Sequence, residues 1–336
     1  MDRAPILAVL LNYRTPEMTV EACASAIEEM RALGGEIVIV DNGSGDGSFD
    51  LLCEEVQARG WAESGLVRVL QSGRNGGFGA GMNFGMAAGL SDGTRPGFFY
   101  LLNSDAKPDP GAIRALRDFL LSKPKAGLVG SALRGPDGEP HRTAFRFPSI
   151  AGEFEANARI GVISRLFEDS IVAFPVPRDT IRVDWTAGAS LMIRAEVIDA
   201  TGGFDETFFL YYEETDLCRR ALQAGWSTYY LPASRVVHIG SASTGMKTWS
   251  RTPGYFFDSR LYYLAKHHGR GYAAMATIAA LGGGVLWRLR RLVGNKPQVD
   301  PDRHWRDMAR HSLGALFRPR RSAARSELTP LTEDRR

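Results

Sequence analysis

Cysteine is scarce in this chain. Its 336 residues hold three, Cys23, Cys53 and Cys218, far apart and with no CxxC or Cys/His ligand spacing. That excludes a disulfide framework and a structural zinc site, and it fits a reducing cytosol. Long hydrophobic runs are also few. The opening MDRAPILAVLLNYR offers six apolar residues in a row before Asn12, too few for a signal-peptide core or a membrane span, and reads as a buried first strand. A second run, Tyr272 to Trp287, is apolar for sixteen residues, short of the roughly 20 that a spanning helix needs, and its three consecutive glycines weaken a helix. Net charge is small too, at +3, yet it is unevenly spread. Residues 288–336 carry 13 Lys/Arg against 6 Asp/Glu, which leaves 28 against 32 for residues 1–287. The basic stretch therefore serves a separate surface. Its arginines are not interleaved with stacking aromatics, which argues against nucleic acid. A helix lying on a membrane surface, with Arg288, Arg290 and Arg291 reaching anionic headgroups, is the preferred reading; a helix buried on the main domain is the alternative.

What is present is ample for a core: 44% of the residues are hydrophobic. The first 130 residues alternate strand and helix. ILAVLLNY, EIVIVDNGS, LVRVL and FFYLLNSD read as strands. Thr15 and Pro16 offer an N-cap and first helical position for a helix reaching Met30, and Asp109 with Pro110 opens another that places Ile113, Leu116, Phe119 and Leu120 on one face. Such alternation predicts an α/β fold with a largely parallel sheet covered by helices. Ligands of such sheets bind beyond the carboxyl ends of the strands. Here those ends are polar: Asn12, Tyr13 and Arg14; Asp41, Asn42, Gly43 and Ser44; Asn103, Ser104 and Asp105. Asp41 and Asp105 suit turns, but as a pair they put two carboxylates on one rim, one able to bind a base or ribose and the other a divalent cation beside a diphosphate.

GRNGGFGAGMNFG, residues 73–85, lets backbone approach a ligand closely. It follows the third strand rather than the first, so it is not a dehydrogenase-type dinucleotide fingerprint. Further on, FDETFFLYYEETDLCRR sets Asp205, Glu206, Glu213, Glu214 and Asp216 among large aromatics. A carboxylate beside apolar rings is partly desolvated, which raises its pKa and suits it to general-base work near neutrality. The plainer reading is a helix start, where acids favour the positive end of the dipole.

Six motifs in order, DNGS, GRNGGFGAGMNFG, LLNSDAKPDPGAI, WTAGASLMIR, GGFDETFFLYYEETDLCRR and VVHIGSAST, resemble the inverting family 2 glycosyltransferases of GT-A fold, from about Ile6 to Thr244. The resemblance implies a Rossmann-like, mostly parallel sheet flanked by helices over residues 1–250, with a helical, basic extension over 251–336. It implies a nucleotide-sugar donor across the strand ends, contacted by Asn12, Tyr13, Asp41 (the base), Arg74, Asn75 and Asn103, with Trp185, Gly188 and Ala189 lining the sugar. Asn103 and Asp105 occupy the family's Asp-x-Asp positions. With Asn in first place, Mn²⁺ or Mg²⁺ would depend on Asp105 and on His238. By position Glu214 resembles the catalytic base, commonly Asp in the family, with Glu213 binding a donor-sugar or acceptor hydroxyl; since Glu is one methylene longer, Glu213 is the alternative base. The late His and STG look most like bacterial rhamnosyltransferases of cell-surface polysaccharide assembly. That implies dTDP-rhamnose as donor, ahead of UDP- or GDP-sugars, and a polyprenyl-diphosphate-linked saccharide as acceptor. It also implies a cytoplasmic enzyme, peripheral at the inner face of the membrane, adding single sugars. A glycoside hydrolase fits less well, since its two carboxylates flank the bond at a set separation. A non-catalytic nucleotide-sugar-binding protein is the other alternative, favoured by Asn103.

Overall fold

The computed structural model describes residues 4–240, 249–294, 297–298 and 300–317. The chain runs β1 (Ile6–Asn12), α1 (Pro16–Leu33), β2 (Glu36–Asp41), α2 (Ser48–Ala58), β3 (Val67–Gln71), α3 (Phe78–Ala87), β4 (Phe98–Asn103), β5 (Ala106–Pro108), α4 (Ala112–Ser122) and β6 (Ala126–Arg134). It continues through β7 (Ala144–Phe145), α5 (Ile150–Ala158), α6 (Gly161–Leu166), β8 (Ile181–Val183), β9 (Trp185–Thr186), β10 (Ser190–Arg194), α7 (Ala195–Thr201), α8 (Glu213–Gln223) and β11 (Ser227–His238). Three helices follow: α9 (Gly254–His268), α10 (Arg270–Gly294) and α11 (His304–Phe317).

The main sheet has the order β3-β2-β1-β4-β10-β6-β11-β5, with β8 also on β11. β3, β2, β1 and β4 are parallel neighbours, and β6 and β11 run the same way. β10 lies antiparallel between β4 and β6, a reversal that the alternating pattern did not disclose. The mostly parallel, helix-flanked sheet is as expected. Alternate residues of β1 serve opposite faces, as the two-residue period of a strand requires. Ile6, Ala8 and Leu10 meet Val20 and Ile27 of α1 and Leu116 of α4, whereas Leu7 and Val9 meet Met82 and Met86 of α3 and Leu217 of α8. Burial on both sides explains the unbroken apolar runs.

Boundaries shift slightly from the sequence reading. α1 begins at Pro16 as expected but continues to Leu33, where Gly34 ends it in a left-handed conformation. α4 starts at Ala112, after Gly111 in a left-handed conformation, and Asp109 forms a bidentate pair with Arg134 at 2.8 and 2.9 Å.

Gly282, Gly283 and Gly284 do not interrupt α10. A Cβ on Gly283 would come within 2.5 Å of the Phe154 carbonyl oxygen in α5, and one on Gly284 within 2.7 Å of the Trp305 ring in α11. The glycines let three helices pack at close range, which offsets their low helix propensity. Buried Arg260 of α9 pairs with Glu153 of α5 and donates to Thr277 of α10. The segment expected as an extension thus packs on the main body. The SASTG stretch, 241–245, expected as a loop over the diphosphate, lies outside the described residues, as do residues 318–336 of the basic tail.

Candidate active site

The carboxyl ends of β1, β2 and β4 converge. Asn12 is fully buried and donates to Asp41 at 2.9 Å and to the Ser44 hydroxyl at 3.2 Å, while its carbonyl oxygen accepts from Thr15 N and the Thr19 hydroxyl. Asp41, also without exposed surface, accepts from Ser44 through both its oxygens. The Asn12 side chain thus braces the rim at the end of β1. Tyr13 is partly exposed, with the Arg14 guanidinium 5.2 Å from its ring centroid.

The glycine-rich segment docks on this rim through Asn42, whose amide donates to Asn75 at 3.2 Å and to the Gly77 carbonyl at 3.0 Å. Arg74 stays exposed, 3.7 Å from Glu206. At the start of α3, the Phe78 N–H donates to the Phe209 carbonyl at 3.1 Å. Gly77, at φ +89°, passes so near that a Cβ would sit 1.8 Å from that same oxygen. Buried Asn83 then ties α3 to Phe204 in both directions, at 2.9 Å each way.

Those contacts carry the acidic segment to the rim. Tyr211 and Tyr212 both take positive φ, 68° and 70°, an uncommon conformation for aromatic residues. The tight turn they make starts α8 at Glu213. Gly188, in the β9–β10 connection, lies between Phe78 and Glu214: a Cβ there would be 3.3 Å from the Phe78 ring and 4.0 Å from the Glu214 Cβ. Next to it, the Ala189 carbonyl accepts from the Asn103 N–H at 3.0 Å. So Asn103, Gly188, Ala189, Phe78 and Glu214, spread over more than a hundred positions, meet at one place.

Glu213 is buried, Glu214 partly so, and each keeps a buried Oε2 with no protein hydrogen-bond partner. Burial raises the Glu213 pKa well above the ordinary carboxylate range, and the neighbouring Glu214 charge raises it further. Burial also raises Glu214, opposed by backbone N–H groups at its own position and at Gly188. With two carboxyls side by side, the pair shares its titration, and burial favours its protonated forms. Asp216, by contrast, is an ion-pair hub with Arg220 (2.7 Å), Lys266 (2.6 Å) and His267 (2.7 Å). Burial alone would raise it, but His267, Arg220 and Lys266 together hold it down to about 2.

Asp105 is nearly buried, and the His238 Nε2 lies 3.1 Å from its Oδ1. β5 and β11 make this contact, since Ala106 pairs with His238 in antiparallel register. Among the described residues no group of three or more His, Cys, Asp or Glu side chains is arranged as a metal site. Half-buried Trp185 stacks on Phe145 at 4.1 Å, and its indole N–H donates to the Arg146 carbonyl at 2.9 Å. It fastens the β7–β9 ribbon. The sequence reading also missed an aromatic wall beside the acidic pair, where Phe209 meets Tyr255 and Tyr211 meets Trp249 and Phe256. Its members lie some forty residues apart, with no motif to link them.

A mostly parallel sheet takes ligands beyond the carboxyl ends of its strands, and Asp41 and Asp105 stand at that rim here. The chain matches the family models described as Glycosyl transferase family 2, over residues 8–172, and Glycosyl transferase family group 2, over residues 98–293. It belongs to the family 2 glycosyltransferases. Among curated relatives, an N-acetylglucosaminyl-diphospho-decaprenol L-rhamnosyltransferase of Mycobacterium tuberculosis is 29% identical over 282 residues, 80% of this chain and 86% of the relative. Rhamnosyltransferase WbbL of Escherichia coli is 29% identical over 122 residues, 36% of this chain and 43% of that one. Among solved structures, GalNAc-T7 with UDP, GalNAc and Mn²⁺ superposes with a TM-score of 0.59 at 16% identity, covering 87% of this chain and 55% of that one. The Pyrobaculum calidifontis mannosyltransferase PcManGT, with GDP-Man and Mn²⁺, gives 0.55 at 13% identity, covering 93% and 79%. These two show the fold alone.

Proposed function

We propose that this glycosyltransferase moves one rhamnosyl unit from dTDP-rhamnose, with inversion, onto a saccharide carried by polyprenyl diphosphate in cell-surface polysaccharide synthesis. The observation that carries the reading is the meeting of Glu214 with Gly188, Ala189 and Asn103: a desolvated carboxylate beside the donor rim. The donor and acceptor classes follow the names of the rhamnosyltransferase relatives.

In this scheme Glu214 takes the proton from the acceptor hydroxyl as that oxygen bonds to the anomeric carbon. The bond from that carbon to the diphosphate breaks on the opposite face, and the nucleoside diphosphate leaves with the electron pair. Beside Glu214, Glu213 holds a sugar hydroxyl. Phe209, Tyr255 and Trp249 form the acceptor side, where rings can cover sugar faces. The base of the donor rests on the loop that Asp41 and Asn42 brace, with Tyr13, Arg74 and Asn75 around it. Asp105 and His238 fit Mn²⁺ or Mg²⁺: a carboxylate and an imidazole already adjacent at the rim, with diphosphate oxygens to complete the coordination. Such an ion would neutralise the leaving diphosphate. The enzyme is assigned to the cytoplasmic face of the membrane, where its lipid-borne acceptor would lie.

The test is a donor panel of dTDP-rhamnose, UDP-sugars and GDP-sugars with Mn²⁺ and a lipid-linked acceptor, scored by product stereochemistry. Glu214→Gln should lower kcat by about a hundredfold or more while nucleotide binding persists, and excess chelator should stop turnover. Transfer from a UDP- or GDP-sugar alone would reassign the donor, and substantial turnover by the variant would remove Glu214 as base.

A further inference from the structure

α10 turns small residues inward and large apolar residues outward. Ala273, Ala276, Thr277, Ala280, Gly283 and Gly284 are buried against the body. On the opposite side Met275 is 53% exposed, Ile278 61%, Val285 55%, Leu289 55% and Leu292 79%, with exposed Gly282 among them. Met275, Ile278, Gly282, Val285, Leu289 and Leu292 follow one another at steps of three, four, three, four and three. That alternation is the a/d repeat of a coiled coil, a narrow seam whose side chains fit as knobs into the holes of a facing helix. Among the described residues no helix covers it. The seam is about two and a half heptads long, too short to hold two free peptides together. Here, however, α10 is already folded: Gly283 fits it to α5, Gly284 to α11, and the Arg260–Thr277 hydrogen bond of 3.1 Å ties it to α9. Association therefore has no chain to order.

The seam is complementary to itself. In antiparallel register, with a positions facing d positions, two copies set Met275 against Leu292, Ile278 against Leu289 and Gly282 against Val285. Each layer occurs twice, as a two-fold interface requires. At the centre, Gly282 has room for a second helix, since a Cβ on it would meet nothing nearer than the Phe154 ring at 4.0 Å. Its bare backbone lets the Val285 of the second copy come close. Exposed Leu286 and Val293 widen the apolar surface along one flank. Charge sets the direction of the pairing. Arg290 donates back to the Arg159 carbonyl at 2.7 Å and Arg291 to Gln298 at 3.2 Å, which leaves Arg288 as the cation bordering the seam. Parallel copies would bring the two Arg288 side chains together. Antiparallel copies hold them about nine residues apart along the seam, about 14 Å at the rise of a helix. That is beyond the roughly 8 Å over which exposed charges act at physiological salt.

We infer that α10 joins two copies of this chain in an antiparallel, two-fold symmetric pair centred between Gly282 and Val285. Sedimentation equilibrium on the full-length protein, without lipid, should show a reversible dimer. Gly282→Glu is the discriminating variant. In a single chain the new side chain faces water and has the better helix propensity, so at dilutions where both proteins are single chains its melting temperature should not fall below wild type. In the pair it buries a charge beside its own mate, and the dissociation constant should rise about a hundredfold or more. The register is read by cross-linking on a Cys53→Ser background, where Cys23 and Cys218 remain buried. Ile278→Cys chains mixed with Leu289→Cys chains should be joined by a short bismaleimide, and neither variant should be joined to itself. A wild type that sediments as a single chain would overturn the inference, as would a dimer that Gly282→Glu leaves intact or one that cross-links through Leu289→Cys alone. A single chain in solution that floats with phospholipid vesicles would give the seam to lipid and overturn it equally. Sugar transfer, present or absent, leaves the sedimentation result standing.

Discussion

Glu213 and Glu214 are adjacent in sequence but differ in setting, the first buried and the second half-buried. Both pKa values are raised chiefly by burial, with Glu213 raised further by its neighbour's charge. The acid limb of kcat should therefore lie above the ordinary value of 4.5, with activity falling as pH drops through the raised Glu214 value. The same shifts act on stability. A carboxyl whose folded pKa exceeds its unfolded one binds more protons when folded, so its ionisation erodes stability as pH rises from 4.5 through the folded value. Glu213→Gln removes that loss, and its melting temperature should exceed wild type by more at pH 8 than at pH 5. Equal differences at both pH values would show that burying this carboxylate carries no such cost.

Among elements, the turn ahead of α8 depends on how closely α3 approaches it. Gly77→Ala combines a left-handed backbone with a Cβ placed 1.8 Å from the Phe209 oxygen, so the turn carrying Glu213 and Glu214 must move. Gly45 shares the left-handed backbone, at φ +65°, but a Cβ there meets nothing within 4 Å. Gly45→Ala should cost about 1 kcal/mol with near-normal kcat. Gly77→Ala should cost more and lower kcat at least tenfold, since small displacements of a reacting group are expensive. Urea titrations and steady-state rates on the two variants check this. β1, β2, β3 and β4 were legible because each is a short apolar run between polar turns. β10 was not, since its direction is set by Leu101 and Val129 on strands distant in sequence.

Across the whole molecule, α9 is fastened to α8 and to the turn before it. Lys266 reaches Asp205 and Asp216, His267 reaches Asp216, and the Ser259 hydroxyl donates to the Leu210 carbonyl at 3.0 Å. Asp216, held at about 2 against an ordinary 3.8, contributes stability that is complete above pH 3.8 and lost as pH falls toward 2. Asp216→Asn should cost about 2 kcal/mol at pH 7, a gap that narrows by pH 3 in denaturant titrations.

By itself the sequence determined the alternating α/β order, the polar strand ends and the motifs that mark the family, because these depend on periodicity and on residue types a few positions apart. Only the tertiary structure decided which polar side chains are spent on one another. Asn12 went to Asp41 and Ser44, Trp185 to Phe145 and Arg146, and Asp216 to α9, while Glu213 and Glu214 each retained a buried oxygen without a protein partner. The physical reason is that hydrogen bonding and desolvation depend on neighbours in space. For these residues the deciding neighbours lie mostly tens of positions away along the chain.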